Sequence, residues 1–370
     1  ESDPKKRPTF LPFNQGTEEG KGGNPVNPGG YKTDYLWKWV LEPQRFLRIL
    51  RDYALWEPSR KGRKGSLIFP RFHQLRATEK VISDIKDNGV GSRRLLQHSA
   101  GSGKTKTIAW IAHQANKLVY DDGESVFDSV IVITDRKALD ANVIADLRLL
   151  QASEGVIVNI DAKNYASKSQ QLNKVLNQGG RILSCTIQTF PALAKTIERS
   201  PKLRNRNWCL IIDEAHSSQH GDAQRQVLTT LADAEVEPTE DMSTDEALQL
   251  VDSAVAKAHN VSIIALTATP KDKTLAVYGQ EFEDADTPVE EPILDGVVDM
   301  YDPALVMVNN QKKLFGAFDL YPMSQAIDEG FILDVLKNYT SMNLFAEIED
   351  KLGREEAVVL GEAVSDLVDF

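Results

Sequence analysis

Six residues of the chain, Ala100-Gly101-Ser102-Gly103-Lys104-Thr105, stand between an apolar run (94–99) and a stretch with helical spacing (104–118). Those residue types in that order suit one kind of chemistry. Glycines let successive backbone N–H groups turn toward an anion, and the start of a helix adds the positive end of its dipole. Lys104 can then reach the β and γ phosphates of a nucleotide, and the Thr105 hydroxyl can ligate Mg²⁺. The general pattern G-x-x-x-x-G-K-[ST] has a glycine where this chain has His98, while Gly101 and Gly103 still bracket the turn. The expected ligands are ATP and Mg²⁺, cradled by residues 100–105.

Two further stretches extend the site. "LIIDEAH" (210–216) is an apolar strand ending in two carboxylates. Ligands of open parallel sheets bind outside the carboxyl ends of the strands. Asp213 is therefore placed to hold Mg²⁺, and Glu214 to orient and deprotonate an attacking water. Phosphoryl transfer is catalysed mostly by positioning and charge neutralisation, so a lysine, a metal and a base are the expected parts. The third stretch, "ALTATP" (265–270), runs into Thr267 and Thr269. Short hydroxyls there can hydrogen-bond the motif carboxylates and couple the nucleotide to a neighbouring lobe.

The elements that must position these residues are legible in the apolar pattern. Strands are expected at 94–99, 129–135, 155–160, 181–187, 208–215 and 261–268. Helices are expected at 104–118, 138–150, 168–178 and 190–198. Near-continuous Val/Ile/Leu strands alternating with helices predict an α/β fold, a mainly parallel sheet with helices on both faces. Residues 35–56 also carry helical spacing, with Leu47, Leu50 and Ala54 on one face. Residues 1–34, rich in Pro, Gly and Asn at the start, read as a linker or extended arm. The first domain is expected over 35–280, with an acidic surface insertion at 233–259, and a second unit from 281 to 370.

The 370 residues suit two domains. No apolar run approaches the ~20 residues of a bilayer span, so no membrane partner is expected. Cys185 and Cys209 sit in apolar runs without metal spacing and read as buried packing thiols of a reducing, cytoplasmic environment. The net charge of −11 does not exclude DNA, because basic residues cluster at 60–64, 93–94, 202–206 and 271–273. Each cluster reads first as solvated surface.

The order A-G-S-G-K-T, D-E-A-H, T-A-T resembles superfamily 2 helicases and translocases of the DEAH-box type. "IFPRFHQL", "LLQHSAGSGKTKTIAWIAHQ", "VIVITDRKALD", "IIDEAHSSQ", "LTATPKDKTLAVYG" and "YPMSQAIDEGFILDVLKNYT" are together similar to the restriction (R, HsdR-type) motor subunit of type I restriction–modification enzymes. With "NQG…GGNPVNPGGY…YLW" at its start, the resemblance spans about residue 14 to 340. It implies two RecA-like lobes, of which the second is only begun here, and an ATP-driven motor that pumps double-stranded DNA before cleavage. Its partners would be the methyltransferase and specificity subunits of the same complex. The family's nuclease domain and its arginine-finger element find no match, so residues 1–370 alone are expected to turn over ATP negligibly and cut no DNA. A stand-alone helicase of another defence or repair system is the alternative. A non-catalytic nucleotide-dependent module would have no need of Asp213 and Glu214.

The same resemblance carries further residues. Gln74 would read adenine through its amide, with Phe72 or Arg71 flanking the base; Gln74 also reads as a surface residue starting a helix. Asp135, Arg136, Thr186, Gln188 and Thr189 fall at strand ends where such motors grip DNA phosphates, contacts that are blind to sequence. His216 and Gln219 stand where nucleotide and DNA would be coupled, and a hydrogen-bonded core role suits either equally.

Overall fold

The computed structural model describes residues 12–17, 19–58, 65–134, 137–150, 156–160, 169–178, 181–186, 197, 200–215, 260–282, 304–308 and 311–334. A π-helical turn (Leu36–Val40) and α1 (Pro43–Asp52) lead to β1 (Leu55–Glu57), β2 (Ser66–Ile68) and α2 (Phe72–Asn88). Then follow β3 (Arg93–His98), α3 (Lys104–Lys117), β4 (Ser129–Thr134), α4 (Lys137–Leu149), β5 (Ile157–Ile160), α5 (Ser169–Gln178) and β6 (Arg181–Thr186). After α6 (Pro201–Arg204) come β7 (Trp208–Ile212), β8 (Val261–Thr267), α7 (Asp272–Tyr278) and β9 (Gln280–Phe282). The described chain closes with β10 (Ala304–Val308), β11 (Gln311–Gly316), β12 (Asp319–Tyr321) and α8 (Met323–Asp328). No helix among the described residues is long and apolar enough to cross a membrane.

Seven strands form one sheet in the order β12-β3-β8-β7-β4-β6-β5, every neighbouring pair parallel. The six strands expected from the apolar runs are all present. Every residue of β4, β7 and β8 is buried, because helices cover both faces and leave no solvent side to reward polar alternation. Successive side chains therefore enter different cores. Leu95, Ile131, Leu210 and Ile263 join one cluster, while Leu96, Val132, Ile211 and Ile264 join the other with Ile108 and Ala112 of α3. Each such aliphatic side chain contributes roughly 1.5–3 kcal/mol on burial. Cys185 and Cys209 are free thiols, one in each cluster.

Two expectations need correction. Residues 35–56 are not one helix. Pro43 cannot continue the preceding turn and starts α1 instead, where the Glu42 side chain accepts hydrogen bonds from the N–H groups of Gln44 and Arg45. The inward stripe is Ile49 and Tyr53, both fully buried, whereas Leu47 and Leu50 are 66% and 44% exposed. Tyr53 receives the indole N–H of Trp110 at 3.1 Å on its carbonyl.

Residues past 281 also contribute to the main sheet. The chain leaves the sheet for a small antiparallel one, β10-β11-β9, and then returns as β12 to pair with β3. A three-residue strand is too short to stand out as an apolar run. Described residues between 12 and 34 dock on the later chain: Gly22 N–H donates to Asp328 at 3.1 Å, and the Ser324 hydroxyl donates to the Gly20 carbonyl. The Arg93–Arg94 pair is not solvated surface. Arg94 is buried and ion-paired to Asp84, and Arg93 donates to the Val277 carbonyl at 2.9 Å. The basic run 60–64, the insertion 233–259 and the expected helix at 190–198 lie outside the described residues, apart from Ile197.

The reading of α1 has a direct check in urea unfolding. Ile49→Ala should cost about 2–5 kcal/mol, as large-to-small changes in a core do. Leu47→Ala should stay within about 0.5 kcal/mol, as for an exposed site. Equal losses at the two positions would contradict the assigned face.

Candidate active site

Because all seven strands point the same way, the segments after β3, β7 and β8 emerge on one edge of the sheet. Along it the order is β3, β8, β7, so the glycine-rich loop and the carboxylates lie on either side of a single strand.

The loop is built on two left-handed residues, Gly101 at φ +70° and Gly103 at φ +80°. Gly103 is the N-cap of α3. The N–H groups of Gly103, Lys104 and Thr105 have no acceptor among the described residues, the arrangement that a phosphate would satisfy. The buried Ser102 hydroxyl likewise has no partner. The Lys104 ammonium lies 3.4 Å from the carbonyls of His98 and Ser99 and 3.5 Å from the Glu214 carboxylate.

The carboxylates are held by the strands on either side of β7. Asp213 N–H donates to the Ile133 carbonyl at 2.9 Å, and Ala215 N–H to the Leu266 carbonyl at 3.1 Å. Between them Glu214 takes φ +51°, the left-handed region that a non-glycine residue rarely enters. Such conformations persist only where the surroundings impose them, and they gather at functional sites. The strained residue is the expected base. Asp213 is buried, and one of its oxygens accepts the Glu214 N–H at 3.0 Å. Thr105 and Asp213 offer the oxygen donors that Mg²⁺ favours, so the residue set fits the cation.

Other expected residues fall as follows. The Gln74 side chain is buried and committed to the loop: its oxygen accepts the Arg71 N–H at 2.9 Å, and its nitrogen donates to the carbonyls of Ser102 (3.2 Å) and Gly103 (3.0 Å). Both ends of the amide are thus in use within the protein, and a bidentate contact to adenine would require their release. Phe72 cannot flank a base, because it is buried among Phe13, Tyr35 and Trp39. Arg71 does reach the loop, donating to the Gly101 carbonyl at 2.9 Å with its guanidinium stacked 3.6 Å from the Phe331 ring centroid. Thr267 is buried at the end of β8, and its hydroxyl accepts the N–H of the exposed Thr269 at 3.3 Å. Thr186 is buried at the end of β6. Asp135, Arg136, Gln188, Thr189, His216 and Gln219 lie outside the described residues.

Sequence reasoning missed His73, Arg76, Asp319 and Tyr321, which surround the loop from behind. His73 donates to the Ser102 carbonyl at 2.9 Å and stacks on Tyr321 with ring centroids 3.7 Å apart. Burial, then the neighbouring His98, push the His73 imidazole well below its ordinary range, so it is neutral and donates from Nε2. The one signal available was His98, the departure from the glycine pattern.

A glycine-rich loop at a helix start on a parallel sheet, with a carboxylate pair two strands away, is the arrangement that a P-loop ATPase needs. The profile of the SWI2/SNF2 ATPase family matches residues 73–357, and the chain belongs to that family. It is 29% identical over 192 residues to the type I restriction enzyme HindI endonuclease subunit of Haemophilus influenzae, covering 50% of this chain and 17% of that subunit. It is 26% identical over 166 residues to the type I restriction enzyme SauCOLORF180P endonuclease subunit of Staphylococcus aureus, covering 44% of this chain and 16% of the relative. The chain thus spans less than a fifth of either relative. Among solved structures, the ATP-dependent type ISP restriction–modification enzyme LlaBIII bound to DNA shares 15% identity at a TM-score of 0.31, over 72% of this chain and 15% of that one. The protein is a helicase-like ATPase related to the type I restriction endonuclease subunits.

The left-handed turn can be tested against an internal control. A Cβ on Gly103 would stand 2.6 Å from the Gln74 nitrogen, whereas one on Gly89, at φ +77°, would meet nothing within 4 Å. Gly103→Ala and Gly89→Ala should each cost about 1–3 kcal/mol in backbone strain. Only Gly103→Ala should also weaken ATP binding in titration calorimetry. Full ATP affinity in that variant would argue against the loop as the phosphate site.

Proposed function

We propose that this chain is the ATP-hydrolysing motor part of a type I restriction endonuclease subunit, a translocase that uses ATP to pump double-stranded DNA. The observation that carries the reading is the 3.5 Å approach of Lys104 to Glu214 across the sheet edge, with Glu214 in a strained backbone. The two charges face each other directly, so a terminal phosphate entering between them would take over the lysine and leave the carboxylate turned toward an attacking water. Lys104 supplies positive charge to the β and γ phosphates, and the N–H groups of residues 103–105 add donors that need no rearrangement. Glu214 accepts the proton of the attacking water. Mg²⁺, held by Thr105 and Asp213, would neutralise charge on the phosphate oxygens.

Kinship with the restriction subunits favours duplex DNA as the track, with methyltransferase and specificity subunits supplying sequence recognition. Asp135, Arg136, Thr186, Gln188 and Thr189 remain the proposed phosphate contacts. His216, Thr267 and Thr269 remain the proposed coupling residues. A stand-alone superfamily 2 helicase is the second reading, favoured by the SWI2/SNF2 match, which covers more of the chain than either restriction relative.

Binding and chemistry separate in two variants of the full-length protein. Lys104→Ala should lose most ATP affinity, since a hydrogen bond to a charged group contributes roughly 1.5–3 kcal/mol. Glu214→Gln should bind ATP and Mg²⁺ normally yet release little phosphate, because an amide cannot take the proton from water. Near wild-type turnover in Glu214→Gln would remove it as the base, and unchanged ATP binding in Lys104→Ala would remove the phosphate-loop reading.

A further inference from the structure

His98 stands where the phosphate-loop pattern has glycine, and the structure gives that substitution work to do. Its side chain is fully buried, and its Nε2 lies 2.8 Å from an Asp319 carboxylate oxygen. The carboxylate only accepts, so Nε2 carries the proton and donates. Arg76 holds the same carboxylate in a fork, Nε to one oxygen at 2.8 Å and Nη2 to the other at 3.2 Å, and Nη2 also donates to the Leu320 carbonyl at 2.7 Å. Burial alone would push the Asp319 carboxyl up. Arg76 and His98 outweigh it and hold the group well below the usual carboxylate range.

Three elements meet at this carboxylate: β3 through His98, α2 through Arg76, and β12 through Asp319 itself. Each of them also grips the loop. β3 runs directly into it. The first turn of α2 and its N-cap send His73, Gln74 and Arg71 to the carbonyls of Ser102, Gly103 and Gly101. β12 accepts the Ser99 N–H on the Tyr321 carbonyl at 2.9 Å, and Tyr321 lies against His73. Beyond α8 the chain lies over the loop, where a Cβ on Gly101 would stand 2.6 Å from Ile332. The orientation of the loop N–H groups therefore depends on how these three elements are fixed to one another.

We propose that His98 and Asp319, with Arg76, are positioning residues that set the phosphate loop for nucleotide, and that His98 is required in this chain where the pattern has glycine. The inference rests on the reading of the loop as an ATP site. Replacing His98 by glycine brings the sequence closer to the pattern and removes one arm of the clasp. It should therefore impair the protein.

The test is steady-state ATP hydrolysis by the full-length protein, with thermal unfolding to confirm that each variant is folded. His98→Gly should raise the KM for ATP about tenfold, the effect of one lost charge-assisted hydrogen bond, with kcat changed less than about twofold because Glu214 is untouched. His98→Gln keeps a donor for Asp319 and should bring KM back to within about twofold. Should His98→Gly not fold, Asp319→Asn serves instead. It keeps the shape of the side chain, weakens its bonds to His98 and Arg76, and should raise KM in the same direction. A folded His98→Gly with wild-type KM, or a folded Asp319→Asn with wild-type KM, overturns the inference alone. A wild-type protein that does not bind ATP overturns the reading of the loop and the inference together.

Discussion

A single strand stands between the phosphate loop and the carboxylates, and most of the site follows from it. β8 pairs with β3 on one side and β7 on the other, all parallel. Neighbouring strands lie about 4.7–4.9 Å apart, so two spacings place the ends of β3 and β7 about 10 Å from each other. That gap is one that a lysine side chain can bridge, and Lys104 does so to reach Glu214. Were β3 and β7 adjacent, the carboxylate would crowd the phosphate cradle; two strands between them would leave the lysine short. Parallel direction matters equally, since one reversed strand would carry its functional end to the far edge of the sheet.

Holding that edge still requires a rigid support, which the sheet supplies through burial on both faces. β4, β7 and β8 are buried throughout, and the backbone at Asp213–Ala215 is stitched to β4 and β8 by Asp213 N–H to Ile133 and Ala215 N–H to Leu266. Those bonds make the left-handed conformation of Glu214 tenable, because strain of that size persists only where neighbours over-determine the backbone. Behind the loop, support is polar instead. A buried carboxylate there is fully engaged by an arginine and a histidine, so the charge is matched in place, and removing one partner would leave another buried without compensation.

The sequence disclosed what repeats or runs. Six strands of the sheet were visible as short runs holding two or more aliphatic residues, and the loop and D-E pair stood out by spacing and residue type. Long-range pairings stayed hidden. β12 is three residues long, and nothing local in Asp319-Leu320-Tyr321 says that it will return to pair with β3. Asp319 and His98 are 221 positions apart, so their contact has no sequence signature beyond the missing glycine. The face of α1 was misjudged for a local reason. Leu47 and Leu50 share an apolar face by spacing, yet Ile49 and Tyr53, four residues apart on another face, are the buried pair. The contacts of Gln74 were hidden for yet another reason, since an amide able to read a base is equally able to cap a helix and brace a loop.

The central claim is that this edge of the sheet hydrolyses ATP in the service of movement on duplex DNA. The measurement that addresses it most directly is the initial rate of phosphate release from ATP by the full-length protein with the proposed methyltransferase and specificity subunits, with and without linear double-stranded DNA. The account predicts little release without DNA and a large, Mg²⁺-dependent rise when the duplex is added. A rate indifferent to DNA would contradict the motor, and absence of hydrolysis under both conditions would contradict the ATPase.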